Sequence, residues 1–117
     1  EELVAELGLK DVVTFTGNRT DAVDFIASAD VLVLPSIMEG LPAVILEAFY
    51  YETPVVAYST GAIPEVVTPQ TGWLIPKDDE YAFAKQIVDL YSMSPDLIVQ
   101  RTRMARALVL QSYQNEV

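Results

Sequence analysis

The sequence predicts an α/β domain in which a parallel β-sheet is flanked by helices. Short valine-rich apolar segments alternate along the chain with segments of helical periodicity. Such alternation is typical of βαβ units, which form parallel sheets. The chain has 117 residues, of which 51% are hydrophobic. One domain with one packed core is therefore expected.

Four segments are predicted to be strands because they combine β-branched or aromatic residues with flanking glycine or proline. A continuous apolar run such as the second of them is typical of a strand buried on both faces of a parallel sheet. Trp73 in the last segment is expected in the core. The four segments are Val12–Thr16, Val31–Leu34, Pro54–Tyr58 and Gly72–Ile75.

Helical periodicity and capping residues predict helices between and after these strands. In the last two helices, the apolar positions expected to face the core are Phe83, Ile87, Val88 and Leu90, and then Leu97, Ile98, Met104 and Leu108. The predicted helices are Glu1–Leu9, one capped by Thr20 or Asp21, Pro42–Tyr50, a short one around Glu65, one from Asp78 or Asp79 to Met93, and one opened by Pro95.

Composition excludes several classes of function. The sequence contains neither cysteine nor histidine, so thiolate metal sites and Ser-His or Cys-His catalysis are not expected in this segment. Seven basic and seventeen acidic residues give a net charge of −10, which repels nucleic acid. A phosphate site must then depend on backbone N–H groups or on basic residues from outside the segment. The absence of an initial Met leads us to expect a piece of a longer chain.

The loops after the carboxyl ends of parallel strands bind ligands, and the segment 35–43 is the richest of them. A predicted strand ends there and a helix begins within a few residues. The first N–H groups of a helix can bind phosphate oxygens, and Gly40 permits a close approach to the backbone. Because Pro42 has no N–H group, the candidate donors are Gly40, Leu41 and Ala43.

Two carboxylates flank this turn, Glu39 before it and Glu47 within the helix. Eight residues span about 2.2 helical turns, so Glu47 is expected on roughly the face of the turn. A carboxylate can accept hydrogen bonds from both hydroxyls of a sugar diol. Two simpler interpretations stay open: Glu39 pairs with Ser36 as a capping box, and Glu47 is an ordinary solvated helix residue.

Six segments carry a resemblance to a known family: Val12–Gly17, Ala29–Ser36, Glu39–Glu47, Pro54–Ala57, Gly61–Val67 and Thr71–Ile75. Together they resemble the retaining glycosyltransferases of the GT-B fold, group 1 and family 4 type. The resemblance implies a Rossmann-like parallel sheet flanked by helices, namely a truncated C-terminal, donor-binding domain. Residues 1–117 would form part of this nucleotide-sugar-binding domain, without its beginning and without the N-terminal acceptor domain.

The resemblance also implies roles for individual residues. Glu39 would bind hydroxyls of the transferred sugar as the catalytic residue, and Glu47 would bind the ribose hydroxyls. The sugar and diphosphate would be held at Gly40, Leu41 and Pro42. The residues implied near the nucleotide base are Gly17, Asn18 and Arg19.

By the same resemblance, the full-length parent would transfer a hexose from a UDP-, GDP- or ADP-sugar to a polysaccharide, lipopolysaccharide or glycolipid, with retention and without a metal or cofactor. It would be cytoplasmic or peripheral at the inner face of the membrane. The isolated segment is expected to be inactive, because the Arg and Lys that the family carries near the start of this domain are absent. The alternative function is a non-catalytic nucleotide-binding or self-associating fragment.

Three departures from the family pattern affect the fold. Glu52 and Ala62 stand where the family often has glycine. Two early strands of the family's sheet lack a counterpart, so Val12–Thr16 must pair elsewhere, pair directly with Val31–Leu34, or associate with another copy. Because exposed strand edges favour association, the fragment is expected either to be rearranged or to form a homo-oligomer through the exposed strand edge.

Overall fold

The computed structural model describes residues 2–16, 21–35 and 40–112. Strands and helices alternate in the described residues from the first strand onward, as the sequence predicts. The elements are α1 Glu2–Glu6, α2 Ala22–Ser28, β1 Leu32–Leu34, α3 Ala43–Tyr50, β2 Val55–Tyr58, a 3₁₀ helix Ile63–Glu65, β3 Trp73–Ile75, α4 Glu80–Ser92 and α5 Pro95–Ser112.

The three strands form a parallel sheet in the order β1-β2-β3. Val33 lies opposite Val56, and Ala57 lies opposite Leu74, so the strands are in register across the sheet. The carboxyl ends of all three strands therefore lie along the same edge. This arrangement confirms the predicted fold class.

Strand β2 separates two layers of core. Successive side chains of a strand point to opposite faces, and here Val55 and Ala57 join the core cluster that includes residues of α3 and α5. Val56 and Tyr58 join the second cluster, which includes Phe83 of α4. All four residues of β2 are buried, which explains why its sequence is a continuous apolar run.

Strand β1 is less buried than the sequence predicts. Leu32 and Leu34 are half-buried, and 38% of the Val33 side chain is exposed. Among the described residues, β1 pairs with β2 alone and therefore forms an edge of the sheet. The expectation that this segment is buried on both faces is wrong. No described strand pairs with the outer edge of β1, and the Val33 side chain stays partly exposed.

The segment Val12–Thr16 is not a strand, which corrects a second expectation. The N–H groups of Val12 and Val13 both donate to the carbonyl of Leu9, each at 3.0 Å, so a turn forms. Phe15 is 56% exposed. None of the described strands pairs with this segment, which contradicts direct pairing with Val31–Leu34. A β-branched sequence forms a strand only when a neighbouring strand pairs with its backbone.

The inward faces of the last two helices also differ from the prediction. Phe83 is buried, and Ile87, Leu90, Ile98 and Leu108 are half-buried, as expected. Val88, Leu97 and Met104 are instead 65%, 38% and 49% exposed. Helix α5 packs on α3, and the residues it buries are Thr102, Ala105 and Val109. Small side chains permit this close approach, so the largest apolar residues do not mark the buried stripe.

The ends of the helices follow the sequence closely. Asp79 caps α4 by accepting a hydrogen bond from the N–H of Ala82 at 2.9 Å. Two residues after the end of α3, Glu52 adopts φ = 58°, where the family pattern often has glycine. None of the helices in the described ranges is both long enough and apolar enough to cross a membrane.

Candidate functional site

Three loops begin at the carboxyl edge of the described sheet. They follow the three strands, and they begin at Pro35, Ser59 and Pro76. The N–H of Ser59 donates to the carbonyl of Ile75 at 2.8 Å, which ties the loop after β2 to the end of β3. In an open parallel sheet this edge is where ligands bind.

The turn at Gly40 combines an open side with an anchored side. A Cβ atom placed on Gly40 would meet no atom of the described residues within 4 Å, so none of them covers the backbone there. The next residue, Leu41, is half-buried and packs against the core cluster. Leu41 therefore anchors the turn to the core on one side, and a ligand can approach the backbone on the opposite side.

Helix α3 begins one residue later than the sequence predicts. Pro42 is the N-cap, with φ = −66° and ψ = 136°, and Ala43 is the first helical residue. The carbonyl of Pro42 accepts a hydrogen bond from the N–H of Ile45 at 3.1 Å. Because the first N–H groups of a helix have no partner inside it, Ala43 and Val44 both present donors at this end. Val44 was not among the predicted donors.

Glu47 lies on the same face of α3 as the start of the helix. It follows Ala43 by four residues, about one turn, and Ala43 itself is exposed. Glu47 is half-buried, between the buried residues Leu46 and Ala48. Within the described part of the chain its carboxylate makes no hydrogen bond or ion pair. The side chain is therefore available to a ligand near the turn, although a solvated helix residue would also lack partners.

Four predicted site residues lie outside the described residues. They are Gly17, Asn18, Arg19 and Glu39. Their assigned roles, and the alternative pairing of Glu39 with Ser36, stay predictions.

The carboxyl edge of the described sheet carries more negative than positive charge. In the loop after β3, Lys77 is followed by the acidic residues Asp78, Asp79 and Glu80. Arg101 and Arg106 are engaged elsewhere, since Arg101 donates to the Gly72 carbonyl at 3.1 Å and Arg106 donates to the Tyr50 carbonyl. Apart from Lys77, an anion at this edge would therefore depend on backbone N–H groups of the described residues. In the described ranges, no three Asp or Glu side chains are grouped so that they could hold a metal ion.

Tyr58 is a polar residue at the carboxyl edge that the sequence analysis did not single out. It ends β2, is 5% exposed, and packs on Phe83 with ring centroids 4.7 Å apart. Burial raises the pKa of its phenol above 10.0, and the negative charges of Glu80, Asp78 and Asp79 raise it further. The phenol therefore keeps its proton and can donate a hydrogen bond at the carboxyl edge. The available signal was a polar aromatic residue at the end of a buried strand.

The glycines of the later loops have structural roles. Gly61 adopts φ = 52°, a turn conformation that favours glycine. Ala62 has φ = −86° and ψ = −4°, so a second glycine is not needed there. A Cβ on Gly72 would lie 3.1 Å from the carbonyl oxygen of Val55. Gly72 thus lets two strands approach closely, and the predicted core position of Trp73, 4% exposed, is confirmed.

Comparison with known families agrees with this geometry. A family model described as "Glycosyl transferases group 1" matches residues 1–93. The chain belongs to the group 1 glycosyl transferases. The matched region contains all three strands, the turn at Gly40 and the whole of α3. The candidate site is therefore part of what the chain shares with this family.

Two curated relatives illustrate the similarity of this group 1 member. It is 36% identical over 110 residues to the lipopolysaccharide core biosynthesis mannosyltransferase LpsB of Rhizobium meliloti, covering 92% of this chain and 29% of that protein. It is 37% identical over 100 residues to a D-inositol 3-phosphate glycosyltransferase of Streptomyces scabiei, covering 83% of this chain and 22% of that protein. The chain thus spans less than a third of each relative.

A solved structure supports the assignment of the fold. The C-terminal domain of the glycosyl transferase group 1 family protein LpcC from Francisella tularensis superposes with a TM-score of 0.78 at 24% identity, covering 96% of this chain and 59% of that chain. The described elements therefore have the Rossmann-like architecture of a GT-B C-terminal domain. This confirms the fold that the resemblance implied.

Proposed function

We propose that this chain is the donor-binding part of a glycosyltransferase that moves a hexose from a nucleoside-diphosphate sugar to a glycan or lipid acceptor with retention. The observation that supports this most is the open backbone at Gly40, at the start of a helix that presents Glu47 on the same face. A turn at the N-terminus of a helix, where the N–H groups lack partners within the helix, suits a diphosphate. A carboxylate about one turn further along suits the diol of a ribose.

These groups indicate which part of the donor each residue would bind. The N–H groups of Gly40, Leu41 and Ala43 hold the diphosphate, and Glu47 accepts hydrogen bonds from the 2′- and 3′-hydroxyls. On sequence grounds, Glu39 binds the hydroxyls of the hexose. The residues proposed near the base are Gly17, Asn18 and Arg19.

The proposed reaction needs no covalent intermediate on these residues. The bond between the anomeric carbon and the diphosphate oxygen breaks, and a bond to the acceptor oxygen forms on the same face of the sugar. The acceptor's proton passes to an oxygen of the departing diphosphate. The protein contributes positioning of the donor and stabilisation of the charge on the leaving group by N–H dipoles.

The wider role is proposed from the relatives. LpsB is a lipopolysaccharide core biosynthesis mannosyltransferase, and the Streptomyces relative is a D-inositol 3-phosphate glycosyltransferase. We therefore place the acceptor among polysaccharides, lipopolysaccharides and glycolipids, and its binding in a part of the protein outside these 117 residues. The donor is a UDP-, GDP- or ADP-sugar, used without a cofactor.

The ribose contact of Glu47 provides a sharp test of the proposal. Calorimetric titration of the chain identifies which of UDP, GDP and ADP binds most tightly. That nucleotide should bind about fivefold more tightly than its 2′-deoxy analogue, which lacks one hydrogen bond. Glu47→Ala should remove this preference, while Glu65→Ala, at an exposed residue of the 3₁₀ helix, should retain it. Equal binding of both nucleotides by the unmodified chain would contradict the assignment of Glu47.

A second candidate function rests on the edge of the sheet. Among the described residues, β1 pairs on one side alone, and Val33 on it is 38% exposed. An edge of this kind can pair with another copy, so a non-catalytic, self-associating role is the alternative. Sedimentation velocity distinguishes the two, since a monomer at high concentration would rule out association through β1.

A further inference from the structure

Helix α4 carries an apolar surface that is wider than the core beneath it requires. Its inner half consists of Phe83, Ile87 and Leu90, which belong to or pack against the second core cluster. Its outer half includes Val88 and Tyr91, which are 65% and 87% exposed. Together these side chains span about 160° of the helix surface, whereas a stripe of about 100° is usual for a helix with one apolar face. The outer half therefore indicates a second packing partner.

A hollow of about 520 Å³ lies beside this outer half. Tyr91 of α4 and Ile98 of α5 line it, together with Val31 and Pro54, which precede β1 and β2. It therefore opens at the amino ends of the strands, away from the donor turn. Among the described residues that line it, Asp30 alone carries a charge. We call the exposed side of α4 and the apolar wall of this hollow the α4–α5 patch, which comprises Val31, Ala84, Val88, Tyr91, Ile98 and Val99.

The architecture of the sheet indicates what covers this patch. Helices normally cover both faces of a parallel sheet, and α4 contacts β2 and β3 but leaves the side towards β1 open. Another parallel strand beside β1 would require a crossover of roughly a dozen residues or more, usually a helix. The LpcC domain matches 96% of this chain, but the chain covers 59% of that domain. A domain of this architecture therefore contains elements beyond those described here.

We propose that the α4–α5 patch binds an amphipathic helix from a part of the same protein that lies outside residues 1–117. The apolar face of that helix packs on Val88 and Tyr91, and its side chains fill the hollow beside Ile98. The patch is thus an interface within the full-length parent. This inference depends on the shared domain architecture and not on the sugar transfer proposed above.

An introduced thiol tests this interface, because the chain contains no cysteine. Val88→Cys is prepared in the isolated chain and in the full-length parent, in which any other cysteine is replaced by serine. Reaction with N-ethylmaleimide should be at least about tenfold slower in the full-length parent, since the reactivity of a thiol depends on its exposure. Met104→Cys is the matched control. It replaces a residue of α5 that is 49% exposed and does not line the hollow, so both proteins should react at similar rates.

Two results would overturn the proposal. The first is equal reaction rates of Val88→Cys in the isolated chain and in the full-length parent. The second is protection of the isolated chain that grows with its concentration, since a second copy would then cover the patch. Tyr91→Cys provides a second reading of the same surface, so the outcome does not depend on the folding of one variant. A UDP titration read at the Gly40 amide reports on the donor turn separately.

Discussion

The Arg106 guanidinium contacts Tyr50 in two ways. It donates a hydrogen bond to the Tyr50 carbonyl, and its Cζ atom lies 4.6 Å from the centroid of the Tyr50 ring. Tyr50 is the last residue of α3, so a cation from α5 satisfies one of the carbonyls that the helix leaves unpaired. The same contact fixes the far end of the helix whose beginning forms the candidate donor turn.

Replacing Arg106 should therefore destabilise the fold. Arg106→Ala is expected to lower the free energy of unfolding by about 1–3 kcal/mol, through the lost charged hydrogen bond and the lost cation at a helix C-terminus. Arg103→Ala, at an exposed position of the same helix, should stay within about 0.5 kcal/mol. Urea denaturation followed by circular dichroism measures both, and equal losses would contradict this role of Arg106.

Replacing Glu52 by glycine should stabilise the protein. The N–H of Thr53 donates to Ala48 at 2.8 Å and that of Glu52 donates to Phe49 at 3.1 Å, the pattern of a Schellman motif. Glu52 holds φ = 58° there. Glu52→Gly should raise the free energy of unfolding by about 1 kcal/mol, the usual cost of this conformation for a residue with a Cβ. Glu52→Ala keeps the Cβ, so a similar gain in that variant would show that charge is responsible.

Gly72 is expected to tolerate no side chain. An added Cβ would lie 3.1 Å from the Val55 carbonyl oxygen and 3.2 Å from Cγ1 of Val67. Because the backbone of β2 cannot move without disturbing the sheet, Gly72→Ala should cost about 1–3 kcal/mol in thermal or urea unfolding. Gly40→Ala is the control, because the added methyl group would meet no described atom within 4 Å, and its stability should change by less than about 0.5 kcal/mol.

Tyr58 should make stability fall at high pH. Its pKa is raised above 10.0 in the folded state, first by burial and then by Glu80, Asp78 and Asp79. The unfolded chain therefore releases this proton first, so the stabilisation is complete below pH 10 and is lost as pH rises through the folded pKa. Urea midpoints between pH 8 and pH 11 should decline less steeply in Tyr58→Phe than in the unmodified chain. Tyr81→Phe should keep the original slope, and identical slopes in all three would refute the prediction.

Elements with strong local signals were predictable from the sequence. The apolar run Pro54–Tyr58 predicted strand β2, and Asp79 predicted the start of α4. Val12–Thr16 has an equally clear strand composition but does not form a strand, because pairing depends on a neighbour that local sequence does not encode. The buried stripe of α5 was missed for a related reason, since Ala105 is buried by its close contact with α3 rather than by its own hydrophobicity.

The residues of the candidate site were also predictable only in part. Gly40 and Glu47 could be selected because the strand–turn–helix order places backbone donors and a carboxylate on one face. Val44 was missed as a donor, because the helix starts one residue later than Pro42 suggested. The charge of Glu80 acts on Tyr58 only because α4 packs on the sheet, and their sequence separation gives no indication of that proximity.

The most direct test of the account locates nucleotide binding on the folded chain. Amide spectra of the ¹⁵N-labelled protein are recorded during titration with UDP, GDP and ADP. We predict that at least one nucleotide shifts the amides of Gly40, Leu41, Ala43 and Val44 together with that of Glu47. Shifts confined to other parts of the chain, or none at saturating nucleotide, would contradict the donor turn as the binding site.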